Sequence, residues 1–95
     1  MKLKELTLKS TIKCNHQIDV TDLDAEKVMM DLELGRYYML SKTASYIWEL
    51  IVSPISIQEV VDHLLDRYEV EPEECKSQVL SLCDALQQLN LIEVY

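Results

Sequence analysis

The segment of residues 31–50 constrains the fold more than any other part of the chain. Its residues are typical of a strand, a tight turn at Gly35, a second strand Arg36–Leu40 and a helix that begins near Ser41. Gly35 suits the turn because glycine adopts a positive φ without the steric cost of a Cβ atom. The second strand contains no proline and alternates large side chains, so its free edge is suited to pair with a further strand.

The residues before Gly35 predict further short strands. Loose alternation over residues 3–8 and 10–14 indicates one or two of them, and residues 27–32 form the strand that precedes the turn. That strand places three apolar side chains on one face: Val28, Met30 and Leu32. Residues 18–24 are polar and acidic, and we interpret them as a turn.

The second half of the chain is predicted to be helical. Apolar residues recur at helical spacing in three segments: 42–52, 57–68 and 72–90. Ser41 is the predicted N-cap of the first helix, Pro54 ends that helix, and Ser56 with Glu59 fits a capping box. Pro72 is favoured in the first turn of the last helix. Residues 91–95 are predicted to form a strand-like tail. At this length we expect one domain over residues 1–95, an α+β fold resembling a winged helix-turn-helix.

Composition restricts the classes of partner. Asp and Glu total 17 against 9 Lys and Arg, for a formal charge of −8, which disfavours nucleic acid because a phosphate backbone attracts clustered cations. No segment approaches the ~20 apolar residues of a membrane helix, and the N-terminus has no signal-peptide pattern. We therefore expect a cytoplasmic protein that does not enter a membrane.

No catalytic or metal-ligating pattern accompanies these elements. The thiols of Cys14, Cys75 and Cys83 lack C-x-x-C spacing and a neighbouring histidine, so we expect free buried cysteines rather than nucleophiles or zinc ligands. His16 and His63 are far apart in sequence, and a single glycine cannot form a glycine-rich phosphate loop. The sequence predicts no enzyme activity, no metal and no cofactor.

The last helix and the strand after Gly35 are candidates for a shared groove. The apolar arc of that helix covers more than half of its circumference, so either neighbours bury it from two sides or part of it meets a partner. In the strand, Tyr37 and Met39 point away from Tyr38 and Leu40, and the pattern leaves open which pair faces the core. A peptide that adds to the strand edge could also place side chains against the helix.

The chain resembles the PqqD-like family of RiPP recognition elements, which bind leader peptides of ribosomally made natural products. The resemblance extends from about residue 26 to residue 93. It rests on four pieces in this order: the strand-turn-strand of residues 28–40, Ala44 with Ile47-Trp48-Glu49-Leu50, the helix 57–68 with its capping box, and Leu86 followed by Leu89-Asn90-Leu91-Ile92-Glu93. The form of these pieces is most similar to the stand-alone B proteins of lasso peptide biosynthesis. Val52-Ser53-Pro54 stands where the quinone-biosynthesis branch usually has Asp-Gly.

The resemblance implies a three-stranded antiparallel sheet packed on three helices, and a leader peptide bound along the third strand and the third helix. It also implies two partner enzymes, a cysteine-protease-like leader peptidase and an ATP-dependent macrocyclase. Carried onto this chain, the candidate peptide-binding residues are Arg36, Tyr37, Tyr38, Met39, Leu40, Cys75, Val79, Leu82 and Cys83.

Three alternatives stay open. The chain could serve a radical enzyme of another peptide pathway, or it could be a winged-helix DNA-binding regulator, although Glu73, Glu74 and Asp84 would then lie on the helix expected in the major groove. A homodimer through the same strand edge is the third.

Overall fold

Two small antiparallel sheets and three helices form the part of the chain that the computed structural model describes, which is residues 4–15, 18–24, 26–32 and 35–95. The elements in chain order are β1 (Thr11–Cys14), β2 (Asp19–Leu23), β3 (Glu26–Asp31), β4 (Arg36–Leu40), α1 (Lys42–Leu50), β5 (Ile55–Ser56), α2 (Ile57–Arg67), α3 (Pro72–Gln88) and β6 (Ile92–Val94). One sheet has the order β2-β3-β4 and the other has the order β5-β1-β6.

The first sheet corrects the prediction of a turn over residues 18–24. That interpretation was wrong, because residues 19–23 form β2, which pairs with β3 from Asp19↔Met30 to Leu23↔Glu26. All five residues of β2 are exposed, so no apolar alternation marks the strand in the sequence. Backbone pairing with β3, rather than burial of side chains, holds β2 in the sheet.

The second sheet contains the strand predicted near the N-terminus. β1 lies at its centre, between β5 and β6. Residues 4–8 form no strand, and residue 3 lies outside the described residues. The amide side chain of Gln87 accepts a hydrogen bond from the Lys4 backbone N–H and donates one to the Lys4 carbonyl, both at 2.9 Å. A helix side chain therefore supplies the partners that a neighbouring strand would otherwise provide at this residue.

The three predicted helices are present, each ending one or two residues earlier than expected. Ser41 caps α1, with its side chain accepting a hydrogen bond from the Ala44 N–H at 3.2 Å. Ser56 caps α2 by accepting from the Glu59 N–H, and its hydroxyl donates to the Glu59 carboxylate, each at 3.1 Å. Pro72 occupies the first turn of α3. The terminal strand predicted over residues 91–95 is β6.

The hydrophobic core lies between the helices and both sheets. Its fully buried aliphatic members are Ile12 from β1, Met29 from β3, Ile51 after α1, Ile57, Val60 and Val61 from α2, and Leu91 before β6. The α+β, winged helix-turn-helix-like architecture is confirmed, including a three-stranded antiparallel sheet beside three helices. Among the described helices, none combines the length and apolar character needed to cross a lipid bilayer.

Candidate functional site: a strand edge and a helical groove

Strand β4 lies at the edge of its sheet. It pairs with β3 on one side, with Met30 opposite Tyr37 and Val28 opposite Met39, and no strand of the described residues pairs with its other side. The Tyr37 and Met39 side chains are each 69% exposed, whereas Tyr38 is half-buried and Leu40 is buried. The pair that faces outward, left open by the sequence, is therefore Tyr37 and Met39.

The outer face of this sheet carries a group of apolar and aromatic side chains beside β4. Val28 and Met30 lie on it between β2 and β4, in register with the exposed Met39 and Tyr37. The opposite face of β3 meets the core through Met29 and the stem of Lys27. The predicted grouping of Val28 with Met30 on one face is correct, and that face is the outer one.

A serine in α1 fixes the end of β4. The Ser45 hydroxyl accepts a hydrogen bond from the Lys27 N–H at 2.9 Å and donates one to the Leu40 carbonyl at 3.3 Å. The side chain is buried, so these bonds are shielded from water. One residue of α1 thereby joins β3 and β4 and sets where the edge strand runs relative to the helices.

A buried lysine reinforces this junction. The Lys27 ammonium lies 2.6 Å from a carboxylate oxygen of Asp22 in β2 and 3.3 Å from one of Glu49 in α1. The hydrogen bond to Asp22, and then that to Glu49, raise the pKa of Lys27 against the opposing effect of burial. The lysine therefore stays charged and connects the sheet to α1.

An apolar groove of about 410 Å³ opens beside the C-terminal end of β4. It lies between all three helices. The lining residues are Ser41, Thr43, Ala44 and Ile47 at α1, Leu64, Tyr68 and Val70 at and after the end of α2, and Cys75, Gln78, Val79 and Leu82 of α3. Ser41 directly follows β4 and lines the groove, so the C-terminal end of the edge strand adjoins the groove. The volume suffices for one or two large apolar side chains.

The structure brings three of the four predicted helix residues to this groove: Cys75, Val79 and Leu82. Cys83 is fully buried, and burial raises the pKa of its thiol to about 12, so its side chain supports α3 from the core rather than offering a contact. Leu40 also packs into the core, and Arg36 is exposed at the start of β4.

Sequence reasoning missed the contributions of α1 and α2 to the groove. Thr43, Ala44 and Ile47 share one side of α1, and Leu64 and Tyr68 share one side of α2. Their i, i+3 and i, i+4 spacings were visible in the sequence. Spacing alone identifies an apolar face, however, and does not show that two such faces diverge and leave space between them.

The residues that line the groove carry no formal charge. Acidic side chains lie at the exposed start of α3, where Glu73 forms an ion pair with Lys76 at 3.2 Å and Glu74 accepts a hydrogen bond from Gln78 at 3.2 Å. Burial raises the pKa of the Cys75 thiol. This arrangement suits apolar and neutral polar contacts, and no nucleophile with a base stands beside it among the described residues.

The chain is similar to known proteins in sequence and in fold. The family model for coenzyme PQQ synthesis protein D (PqqD) matches residues 26–92. A solved structure described as TbiB1 in complex with the TbiA(beta) leader peptide is 26% identical, with a TM-score of 0.79 over 85% of this chain and 94% of that one. Another, lasso peptide synthetase B1 complexed with the leader peptide, is 24% identical and shares the fold, with a TM-score of 0.77 over 86% and 96% of the two chains. No curated protein sequence matches the chain significantly.

Proposed function

Because the chain belongs to the PqqD family, we propose that it binds the leader segment of a ribosomally made precursor peptide, without catalysing a reaction on it. The leader adds to the β4 edge as a further strand. Its side chains enter the groove between the three helices. The observation that carries the proposal is the unpaired edge of β4, whose C-terminal end adjoins the apolar groove.

Strand addition explains why both features occur together. Backbone groups on an unpaired edge need hydrogen-bond partners, and an extended peptide supplies them whatever its side chains are. Selectivity then comes from pockets beside the strand. Here, Tyr37 and Met39 flank the edge, and Val79 and Leu82 supply the apolar wall of the pocket.

The structural neighbour at 26% identity supports a leader peptide as the ligand, since that protein is described in complex with one. We place the chain in a lasso peptide pathway on this basis. In that role it presents the precursor to a cysteine-protease-like leader peptidase and an ATP-dependent macrocyclase. In another branch of the family, the receiving enzyme would be a radical enzyme.

A direct binding titration tests the proposal. The synthetic leader half of the precursor peptide encoded beside this gene is labelled with fluorescein, and its fluorescence anisotropy is followed against increasing protein. We expect saturable binding at micromolar protein and none for a scrambled peptide of the same composition. Equal anisotropy changes for the leader and the scrambled peptide would exclude leader recognition. Sedimentation with and without peptide shows whether a homodimer through β4 competes with the leader.

A further inference from the structure

We propose that Arg67 recognises an acidic side chain of the bound leader peptide at the rim of the groove. This inference rests on the proposed function and deepens it, because it specifies a charge that the leader must carry. The residue is the last of α2, and its neighbour Tyr68 lines the groove.

Two tyrosines hold the Arg67 side chain in place. Its guanidinium carbon lies 4.3 Å from the centroid of the Tyr46 ring and 5.8 Å from that of Tyr68. The two rings meet edge to face, with centroids 6.4 Å apart and planes at 72°. A cation over an aromatic face is attracted by the ring quadrupole, so this cluster restricts an otherwise flexible side chain. The arginine side chain is thus already ordered in the free protein, so binding of a ligand costs little additional side-chain entropy.

The N–H donors of the guanidinium are still available for hydrogen bonds. A cation–π contact does not use these donors, which lie in the plane of the group. In the described part of the chain, no carboxylate forms an ion pair with Arg67, although Asp66 and Glu69 are close in sequence. In a chain with 17 acidic residues, an ordered and exposed arginine without an acidic partner is available for an external one.

The position of Arg67 defines which ligand it can meet. Tyr68 belongs both to the groove lining and to the tyrosine pair under the guanidinium. The lining itself is uncharged, and Arg67 directly precedes the lining residue Tyr68, so a peptide whose apolar side chain enters the groove would pass close to this positive charge. A carboxylate fits the planar fork of arginine with two parallel hydrogen bonds. We therefore assign Asp or Glu, next to an apolar anchor residue in the leader, as the partner.

A double-mutant cycle with the fluorescein-labelled leader tests this assignment. Arg67→Gln should weaken binding roughly 5- to 10-fold, and exchanging the leader's partner carboxylate for its amide should weaken it equally. The two changes together should cost no more than either alone. Arg67→Lys keeps the charge and loses the planar fork, so we expect an intermediate loss. Lys9→Gln, which makes the same change in net charge at an exposed turn, is the matched control.

The outcomes separate this inference from the proposed function. If the wild-type protein binds the leader and Arg67→Gln binds it equally well, the assignment of Arg67 is wrong and leader binding stands. Additive losses in the cycle, or a bound leader that contains no acidic residue, would also overturn the assignment. If the wild-type protein does not bind the leader, both proposals fail. Thermal melting of each variant reports any loss of folding, and a weaker salt dependence of binding in Arg67→Gln would support the ionic contact.

Discussion

The backbone N–H of Lys27 in β3 donates a hydrogen bond of 2.9 Å to the hydroxyl of Ser45 in α1. The same hydroxyl donates to the carbonyl of Leu40, the last residue of β4. A single side chain thus satisfies backbone groups from two strands at the place where the edge strand reaches the groove. This junction couples the stability of the sheet to the geometry of the candidate site.

Replacing Ser45 with alanine should lower the free energy of unfolding by about 1–3 kcal/mol, because a buried N–H loses its partner. The residue is 4% exposed, so water cannot readily substitute. Chemical denaturation measures the change. Ser81→Ala on the exposed face of α3 is the control, since it gains the same helix propensity of about 0.5 kcal/mol without breaking a buried bond. Equal stability of the two variants would contradict the role of Ser45.

The turn before β4 makes a second stability prediction. Gly35 has φ = +64°, and a Cβ added there would meet no atom within 4 Å. The cost of Gly35→Ala is therefore backbone strain alone, about 1–2 kcal/mol in the free energy of unfolding. Gly35→Asn should lose less, because asparagine tolerates the left-handed region better. Urea denaturation of both variants tests this, and an alanine variant as stable as wild type would refute it.

The sequence predicted those elements whose boundaries are determined by residues within the element or directly beside it. Ser41, Ser56 and Pro72 mark helix starts by capping chemistry, and Gly35 marks a turn by its φ, so their positions were predictable. β2 was missed because its side chains are all exposed and its stability comes from pairing with β3. A strand that is stabilised by backbone pairing with its neighbour shows no alternation of apolar residues in the sequence.

The candidate site was predictable in part for the same reason. The strand edge and the α3 face of the groove follow from periodicity along one element, which identified Cys75, Val79 and Leu82. The tyrosine cluster around Arg67 joins α1 to α2. Contacts between helices depend on packing angles that no spacing encodes, so this cluster was visible only in three dimensions.

The exposed face of β4 predicts a binding effect separable from stability. Tyr37→Ala should reduce leader affinity by about 3- to 10-fold, because the variant lacks the exposed aromatic ring that contacts the added strand beside the edge. The free energy of unfolding should change by less than about 1 kcal/mol, as for most exposed positions. Tyr95→Ala, at an exposed tyrosine outside the groove and β4, is the matched control. Anisotropy titrations that show the same affinity for both variants would place the leader elsewhere.

A test of the groove wall needs a substitution that weakens leader binding without unfolding the protein. Val79 is 2% exposed, so an acidic residue there would bury an unpaired charge and destabilise the fold. A loss of leader affinity in such a variant could then be caused by unfolding alone. Leu82 is half-buried and lines the groove, and Leu82→Gln should lower leader affinity about 10-fold. Leu80→Gln, at a half-buried leucine of α3 outside the groove, should lose comparable stability and retain affinity. Equal affinity losses in the two variants would show that the effect is not specific to the groove.

The buried thiol of α3 predicts how stability depends on alkaline pH. Burial raises the pKa of Cys83 from 9.0 to about 12, so the folded state holds a proton that the unfolded state releases above pH 9.0. The resulting stability is complete below pH 9.0 and is lost as pH rises towards 12. Each pH unit in this range should remove up to about 1.4 kcal/mol through this thiol. In Cys83→Ala, the decline measured by urea denaturation should be shallower by that slope, whatever the constant cost of the smaller side chain. Parallel stability curves for wild type and Cys83→Ala would show that this thiol ionises equally in both states.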